Sequence, residues 1–321
     1  MKKMNIVRAL TEFGERQGQA TIRAGEYIEN LLITGGVITY GKEFIEVELP
    51  HASATLRADT KEIKCAPTSF IGGKINDKDA LVSSLVPSRY LLTVPNINFN
   101  PRSDSLSRPN FYFAPALAVR KKDMPRILTA QKVEGTVYVR KMRHRLIQFL
   151  IGNRKSPEVV LFAHYDSIGP GAMDNASGTA VCISIALKHP EVLSKVLIVL
   201  DPNEELSYDS PTYWGHGYRV FEKRHPLLLR NAKRVIVVDS VGNGKPQIFR
   251  DSHTLNLAFP LKAVARLRGD VLTVGGDVEG MMEFYQSDTD VPSQLTEGFL
   301  EETEELVLKL VLSGYGRRNT R

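Results

Sequence analysis

The chain has 321 residues, 42% of them hydrophobic and 24% charged, which excludes disordered and fibrous classes and leaves room for one large domain or two smaller ones. A formal net charge of +6 admits an acidic partner or nucleic acid, while two lone cysteines, Cys65 and Cys182, exclude a disulfide framework and a cysteine-based zinc finger. No apolar run approaches the ~18 residues of a membrane span, and no apolar stretch of signal-peptide type follows Lys2-Lys3, so a cytoplasmic protein with no membrane partner is expected.

In chain order, the first 36 residues read as helical. Ile6, Leu10 and Phe13 recur at helical spacing, as do Ile22, Tyr27 or Ile28, and Leu31 or Leu32, and Gly35-Gly36 is a stop signal. From about 37 to 130 the pattern changes to short alternating runs, 44–49, 54–58, 62–66 and 89–94, punctuated by proline and glycine. This predicts a β-rich unit. The stretch 96–110, with Pro101, Ser103, Ser105, Ser107 and Pro109, predicts a long polar loop. Runs at 136–140 and 145–150 read as a hairpin with Arg140-Lys141-Met142-Arg143-His144-Arg145 at its solvated tip. That stretch lacks interleaved aromatic residues, so no nucleic-acid partner is expected. Continuous apolar runs then follow at 159–162, 196–200 and 235–238, as in strands buried on both faces. Helical segments lie between them, notably 176–187, and 299–312 closes the chain with an apolar stripe. The alternation predicts an α/β sandwich.

Each of the three apolar runs is followed by groups that can bind metal. Ala163-His164-Tyr165-Asp166 follows the first, Asp201-Pro202-Asn203-Glu204-Glu205 the second, and Asp239 the third. Open α/β sheets bind ligands outside the carboxyl ends of their strands. A fourth cluster, Gly171-Ala172-Met173-Asp174-Asn175-Ala176-Ser177-Gly178, enters a helix. Imidazole and carboxylate donors suit zinc, and such a set can hold one or two ions. Asp166, two residues from His164, is placed to fix that ring's tautomer. Adjacent Glu204 and Glu205 point apart, so one can ligate while the other handles protons. Singly, each motif is more often a polar loop contact, a surface pair or a helix N-cap. Their joint occurrence at consecutive strand ends is what points to a metal site. His216, His225 and His253 are isolated, although His253 is kept as a replacement ligand.

These motifs, in this order, resemble the di-zinc aminopeptidase family, which includes bacterial leucyl aminopeptidases and glutamate carboxypeptidase, with glutaminyl cyclases as relatives. Phe13-Gly14-Glu15-Arg16 and Tyr27-Ile28-Glu29 resemble the family's first helix. The resemblance implies a three-layer α/β/α sandwich around a mixed, mostly parallel sheet, built from 1–36 and 135–321. The intervening 37–134 resembles an inserted protease-associated domain, on the local match of residues 113–119. It also implies that His164 and Asp239 hold one ion, Glu205 the other, and Asp174 bridges them, with Glu204 as general base. The expected activity is that of a metallo-aminopeptidase acting on peptides. Carboxypeptidase or cyclase chemistry, and a non-catalytic role for the cleft, are the alternatives, and homo-oligomerisation is left open.

The sequence departs from the family near its end. Where the family has Tyr-His before an Asp-Thr-Pro-like turn, this chain has Tyr285-Gln286 before Asp290-Val291-Pro292. Tyr285 remains as a donor to the oxyanion. Gln286 takes the place of a histidine ligand, and an amide oxygen is the poorer zinc donor. Asp174, Glu205 and an oxygen from Gln286 or Asp288 are therefore expected to form a weaker second site, which zinc, cobalt or manganese would fill on titration.

Overall fold

The computed structural model describes residues 2–261 and 270–313, so parts of the expected catalytic unit (1, 262–269 and 314–321) lie outside the described residues. Two helices open the chain, α1 (Lys3–Thr11) and α2 (Gln19–Thr34). They bury Ile6, Val7, Leu10, Ala24, Ile28 and Leu32, and α2 ends where the Gly35 N–H returns to the Leu31 carbonyl. Then come β1 (Tyr40–Ala58), β2 (Lys61–Ile63), β3 (Cys65–Pro67), β4 (Gly73–Ile75), β5 (Leu81–Ser83), β6 (Asn96–Phe99), β7 (Ala116–Val119), α3 (Met124–Thr129) and β8 (Val133–Gly152). The remainder alternates: β9 (Val159–His164), α4 (Gly178–Lys188), β10 (Val196–Asp201), α5 (His216–Arg224), α6 (Pro226–Asn231), β11 (Arg234–Val238), β12 (Gln247–Phe249), α7 (Ser252–Ala258), β13 (Asp270–Gly275), α8 (Val278–Met281) and α9 (Glu297–Leu312).

The large sheet runs β12-β13-β11-β9-β10-β8-β1-β2, with β4 also paired to β8. Its inner strands β13, β11, β9 and β10 are parallel, whereas β12, β8 and β1 join antiparallel. Alternate side chains divide between two cores, as strand geometry requires. Leu161, Ala163, Ile198, Leu200, Ile236 and Val238 face one side with Leu10, Ile28, Ile183 and Val307 of the helices packed there. Val160, Phe162, Leu197, Val199, Val235 and Val237 face the other, against Tyr218, Phe221, Leu229 and Phe259. This is the three-layer α/β/α sandwich expected. Strand β9 lies between β10 and β11, so successive connections leave it on opposite sides. Its carboxyl end is therefore the switch point where such sheets open a crevice.

A second sheet, β3-β7-β6-β5, comes entirely from the middle of the chain and closes over a third core of Leu56, Ile75, Ile97, Leu117, Ile127 and Val137. Three expectations for this region are corrected. The hairpin expected at 136–150 is one unbroken strand, β8, paired along its whole length with β1; residue 135 thus lies inside an element. The basic stretch contains no turn residue, and the register sets Glu46 opposite Arg145 and Glu48 opposite Arg143. Lys141 and Arg143 pair with Glu48 and Glu46, so the charges match across the ribbon rather than crowd a tip. The strand expected at 89–94 is a run of local turns. Conversely, the expected loop 96–110 begins with β6. Its Asn96 and Asn98 are fully buried, and Asn98 Nδ2 donates to Thr68 Oγ1 and Asn96 Oδ1, so polar residues occupy strand positions without orphaned groups.

Candidate metal centre

The crevice is built from strand ends. His164 is the last residue of β9, Glu204 and Glu205 lie in the loop after β10, and Asp239 directly follows β11. Asp174 sits in the irregular turn Ala172–Ser177 that leads into α4. Two glycines let that turn form. Gly171 has φ +59°, and a Cβ there would lie 2.3 Å from Ser167 Cβ. A Cβ on Gly178 would lie 2.3 Å from the Val238 carbonyl, so α4 starts against the end of β11 only because no side chain intervenes.

His164 Nε2 lies 3.2 Å from Asp174 Oδ1 and 3.5 Å from Asp239 Oδ1. Its other nitrogen, Nδ1, lies 3.3 Å from Asp166 Oδ1. Asp166 also accepts the backbone N–H groups of Glu204, at 2.9 Å, and Glu205, at 3.0 Å. One buried carboxylate thus orients the histidine and pins the Glu204-Glu205 loop. Ligand atoms of His164, Glu204 and Glu205 also fall within 4.8 Å of one another. Tyr285 lies beside this group, its hydroxyl accepting from Gln286 Nε2 at 3.2 Å.

Two positioning groups escaped the sequence reading. Asp290, read there only as a turn residue, accepts the N–H groups of Met173 and Asp174 and fixes the Asp174 turn. Arg16, fully buried, donates to the carbonyls of Tyr165, Pro170 and Gly171 and so braces the loop from β9 to α4. Its sequence signal is the Phe13-Gly14-Glu15-Arg16 stretch, read above as part of a helix and found in the connection between α1 and α2. Asp201, noted as a strand-end carboxylate, instead points away and accepts from Asn203 N and Gln148 Nε2. His216 and His225 pair with Asp209 and Glu43, and His253 is exposed on α7; none belongs to the crevice.

Burial first, then crowding of like charges, sets the electrostatics. Glu204 is held well above the usual carboxylate range by burial, with Asp239, Asp166 and Asp174 adding repulsion against the opposing pull of His164. Glu205 is raised likewise by burial, then by Asp174 and Glu204. Burial also raises Tyr285, and the surrounding carboxylates reinforce it, so its hydroxyl keeps its proton. For His164 burial opposes protonation, but Tyr218, Asp166, Asp174 and Asp239 together outweigh it and raise the ring well above its ordinary value. Crowded acids around one imidazole are the arrangement that a cation relieves.

Tested against a divalent cation, His164, Asp174 and Asp239 fit. They supply one nitrogen and two carboxylate oxygens converging within 4.8 Å, and the histidine's other nitrogen faces a carboxylate. The second expected site does not fit in this arrangement. Gln286 Nε2 donates to Glu205 Oε2 at 2.5 Å and to Asp174 Oδ2 at 3.3 Å. The side chain expected as a ligand thus presents hydrogens to the carboxylates with which it would share an ion. Asp288, the alternative oxygen, is committed to the Arg120 guanidinium and to Leu106 N.

The comparisons with known proteins bear on the fold and on the segment that carries these residues. The sequence profile of Peptidase family M28 matches residues 146–298. A zinc aminopeptidase from Bacillus subtilis has the same fold, with a TM-score of 0.69 at 14% identity, over 98% of this chain and 95% of that one. An aminopeptidase from Aneurinibacillus sp. strain AM-1 gives 0.59 at 14% identity, over 99% and 97%. A glutaminyl cyclase from Porphyromonas gingivalis gives 0.52 at 12% identity, over 97% and 96%. No curated protein matches by sequence. The segment 146–298, which carries His164, Asp166, Asp174, Glu204, Glu205, Asp239, Tyr285 and Gln286, is thus similar to peptidase family M28, and the chain shares the fold of these zinc aminopeptidases and cyclases.

Proposed function

We propose that the protein is a metal-dependent aminopeptidase, removing amino-terminal residues from peptides. The observation that carries this reading is the placement of a buried Glu204 beside the convergent His164, Asp174 and Asp239, with Asp166 tying the two parts together. Zinc is the ion proposed, held by those three residues, with cobalt or manganese as substitutes. Bound there, it supplies Lewis-acid polarisation of the scissile carbonyl. Glu204 takes a proton from the attacking water and returns it to the departing amine. Tyr285, kept protonated by burial and by its acidic neighbours, donates to the oxyanion that develops on the carbonyl oxygen. Asp166 positions both the ring and the base without touching the substrate.

The experiment is cleavage of aminoacyl fluorogenic substrates and short peptides by zinc-loaded protein, with and without N-acetylation. Release of amino-terminal residues that acetylation abolishes is the expected result. Removal of carboxy-terminal residues from acetylated peptides would overturn it. A second reading, cyclisation of amino-terminal glutamine, draws on the fold shared with the glutaminyl cyclase. Glutaminyl peptides would then lose ammonia without taking up water, which mass spectrometry distinguishes.

A further inference from the structure

We propose that Glu205 and Gln286 form the receptor for the substrate's free α-ammonium group, in the place where a second metal ion would sit. The inference rests on the peptidase reading and names the feature of the substrate that this part of the site selects.

Three observations carry it. Both carboxylates that would share a second ion are already hydrogen-bonded by the Gln286 amide, which directs N–H at Glu205 Oε2 and Asp174 Oδ2. Its backbone is held from the smaller sheet's side of the molecule. Arg108 N donates to the Gln286 carbonyl and Ser107 Oγ to the Tyr285 carbonyl, while Gln286 itself adopts a left-handed φ of +46°. Such a conformation persists only where surroundings enforce it.

Next, the other oxygen of Glu205 is an orphan. The residue is 2% exposed, and its Oε1 has no hydrogen-bond partner among the described residues. A buried carboxylate oxygen of that kind calls for a charged donor. Among the described residues, the nearby guanidinium groups are already engaged: Arg16 holds main-chain carbonyls, and Arg108 pairs with Glu15.

Last, the charges leave room for one more cation. Asp174, Glu204, Glu205 and Asp239 face the crevice. One divalent ion at His164, Asp174 and Asp239 offsets two of these charges, and Glu204 is kept for proton transfer, so Glu205 remains. An ammonium carries one positive charge and three donors, enough for Glu205 Oε1 and the carbonyl end of the Gln286 amide. The α-amine is favoured over a lysine ε-amine by distance. Glu205 adjoins the base Glu204, and only an α-amine lies two bonds from the carbonyl carbon under attack.

The test uses the full chain loaded with zinc. Elemental analysis reads the number of ions retained, and calorimetry reads the binding of leucinamide against N-acetyl-leucinamide. One tight ion per chain is expected, with the free amine bound about a hundredfold more tightly, the scale for truncating one partner of a buried charge pair. Glu205→Gln should keep the ion and lose the selectivity; Gln286→His should take up a second ion. N-acetyl-lysinamide, whose only amine is the ε-amine, should bind as weakly as N-acetyl-leucinamide. Two tight ions in the wild type, or equal binding of the free and acetylated amides, would overturn the proposal. Selective amine binding with no peptide hydrolysis would remove the peptidase reading and leave the receptor standing.

Discussion

Asp166 accepts the backbone N–H of Glu204 at 2.9 Å, so the carboxylate that orients the histidine also fixes where the base stands. An asparagine in its place offers one acceptor where two N–H groups and a ring nitrogen now converge. Asp166→Asn should therefore weaken zinc binding about 10–100-fold and lower turnover together. Calorimetric zinc titration beside kcat measurement checks this. A variant that lost turnover with unchanged zinc affinity would detach His164 from the Asp166 network.

The base itself separates from the metal. Glu204→Gln keeps the size of the side chain and leaves His164, Asp174 and Asp239 untouched. Metal content should be unchanged while kcat falls ~10²–10⁴-fold. Unchanged turnover would sink the assignment of Glu204.

The segment carrying Tyr285 and Gln286 is stitched to residues 100–120. Asn100 Nδ2 donates to the Met282 carbonyl, Ser105 Oγ to that of Glu283, and Leu106 N to Asp288, which also pairs with Arg120. Arg120→Ala should loosen Tyr285 and lower kcat/KM about tenfold, the scale of one hydrogen bond to a charged group, with the first metal retained. Loss of the metal in this variant would mean that the clamp supports His164 rather than Tyr285.

Asp201 gives the pH dependence a sign. Burial raises it to about 7, against help from Asn203 N and Gln148, while an unfolded aspartate titrates near ~4. Between those values the folded chain holds a proton that the unfolded chain has lost. This group's contribution is therefore full below ~4 and falls as pH rises towards 7, by about 4 kcal/mol at most. Asp201→Asn should flatten the fall, because a flipped Gln148, whose Oε1 has no partner among the described residues, can accept from the new amide. Urea midpoints of both proteins across that range, in chelator, read the difference. A residual slope is expected from Asp290, also raised to about 7 by burial.

The strands β9, β10 and β11 were legible because helices cover both their faces, which makes each a continuous apolar run. The donor cluster was legible because it follows those runs directly. Other elements hid for physical reasons. Strand β13 has Thr273 between Leu272 and Val274, buried in a strand that opens with Asp270, which blurs its apolar run. Strand β6 spends two of its four positions on asparagines, and one of them, Asn98, finds its partner at Thr68, distant in sequence. The middle of β8 is basic except for Met142, and even its inner face is only half-buried, so no apolar periodicity separates a ribbon from a hairpin tip. In the site, residue types predicted donors but not direction. That Gln286 turns N–H towards Glu205 depends on Arg108, Ser107 and a left-handed backbone, none of which its neighbours in sequence announce.

The ribbon of β1 and β8 has a consequence for how the chain comes apart. Both strands run without a break from the large sheet to the core beneath the small one, and each residue of β1 has its partner in β8 across all the intervening chain. Closing that ribbon during folding means gathering the whole middle segment first, which is slow for contacts so far apart in sequence. Once closed, the core beneath the small sheet cannot come apart without disturbing a ribbon that belongs to the large one. Melting should then be a single event, with fluorescence from Trp214 and far-ultraviolet circular dichroism tracing the same curve, rather than the two steps of loosely tethered halves.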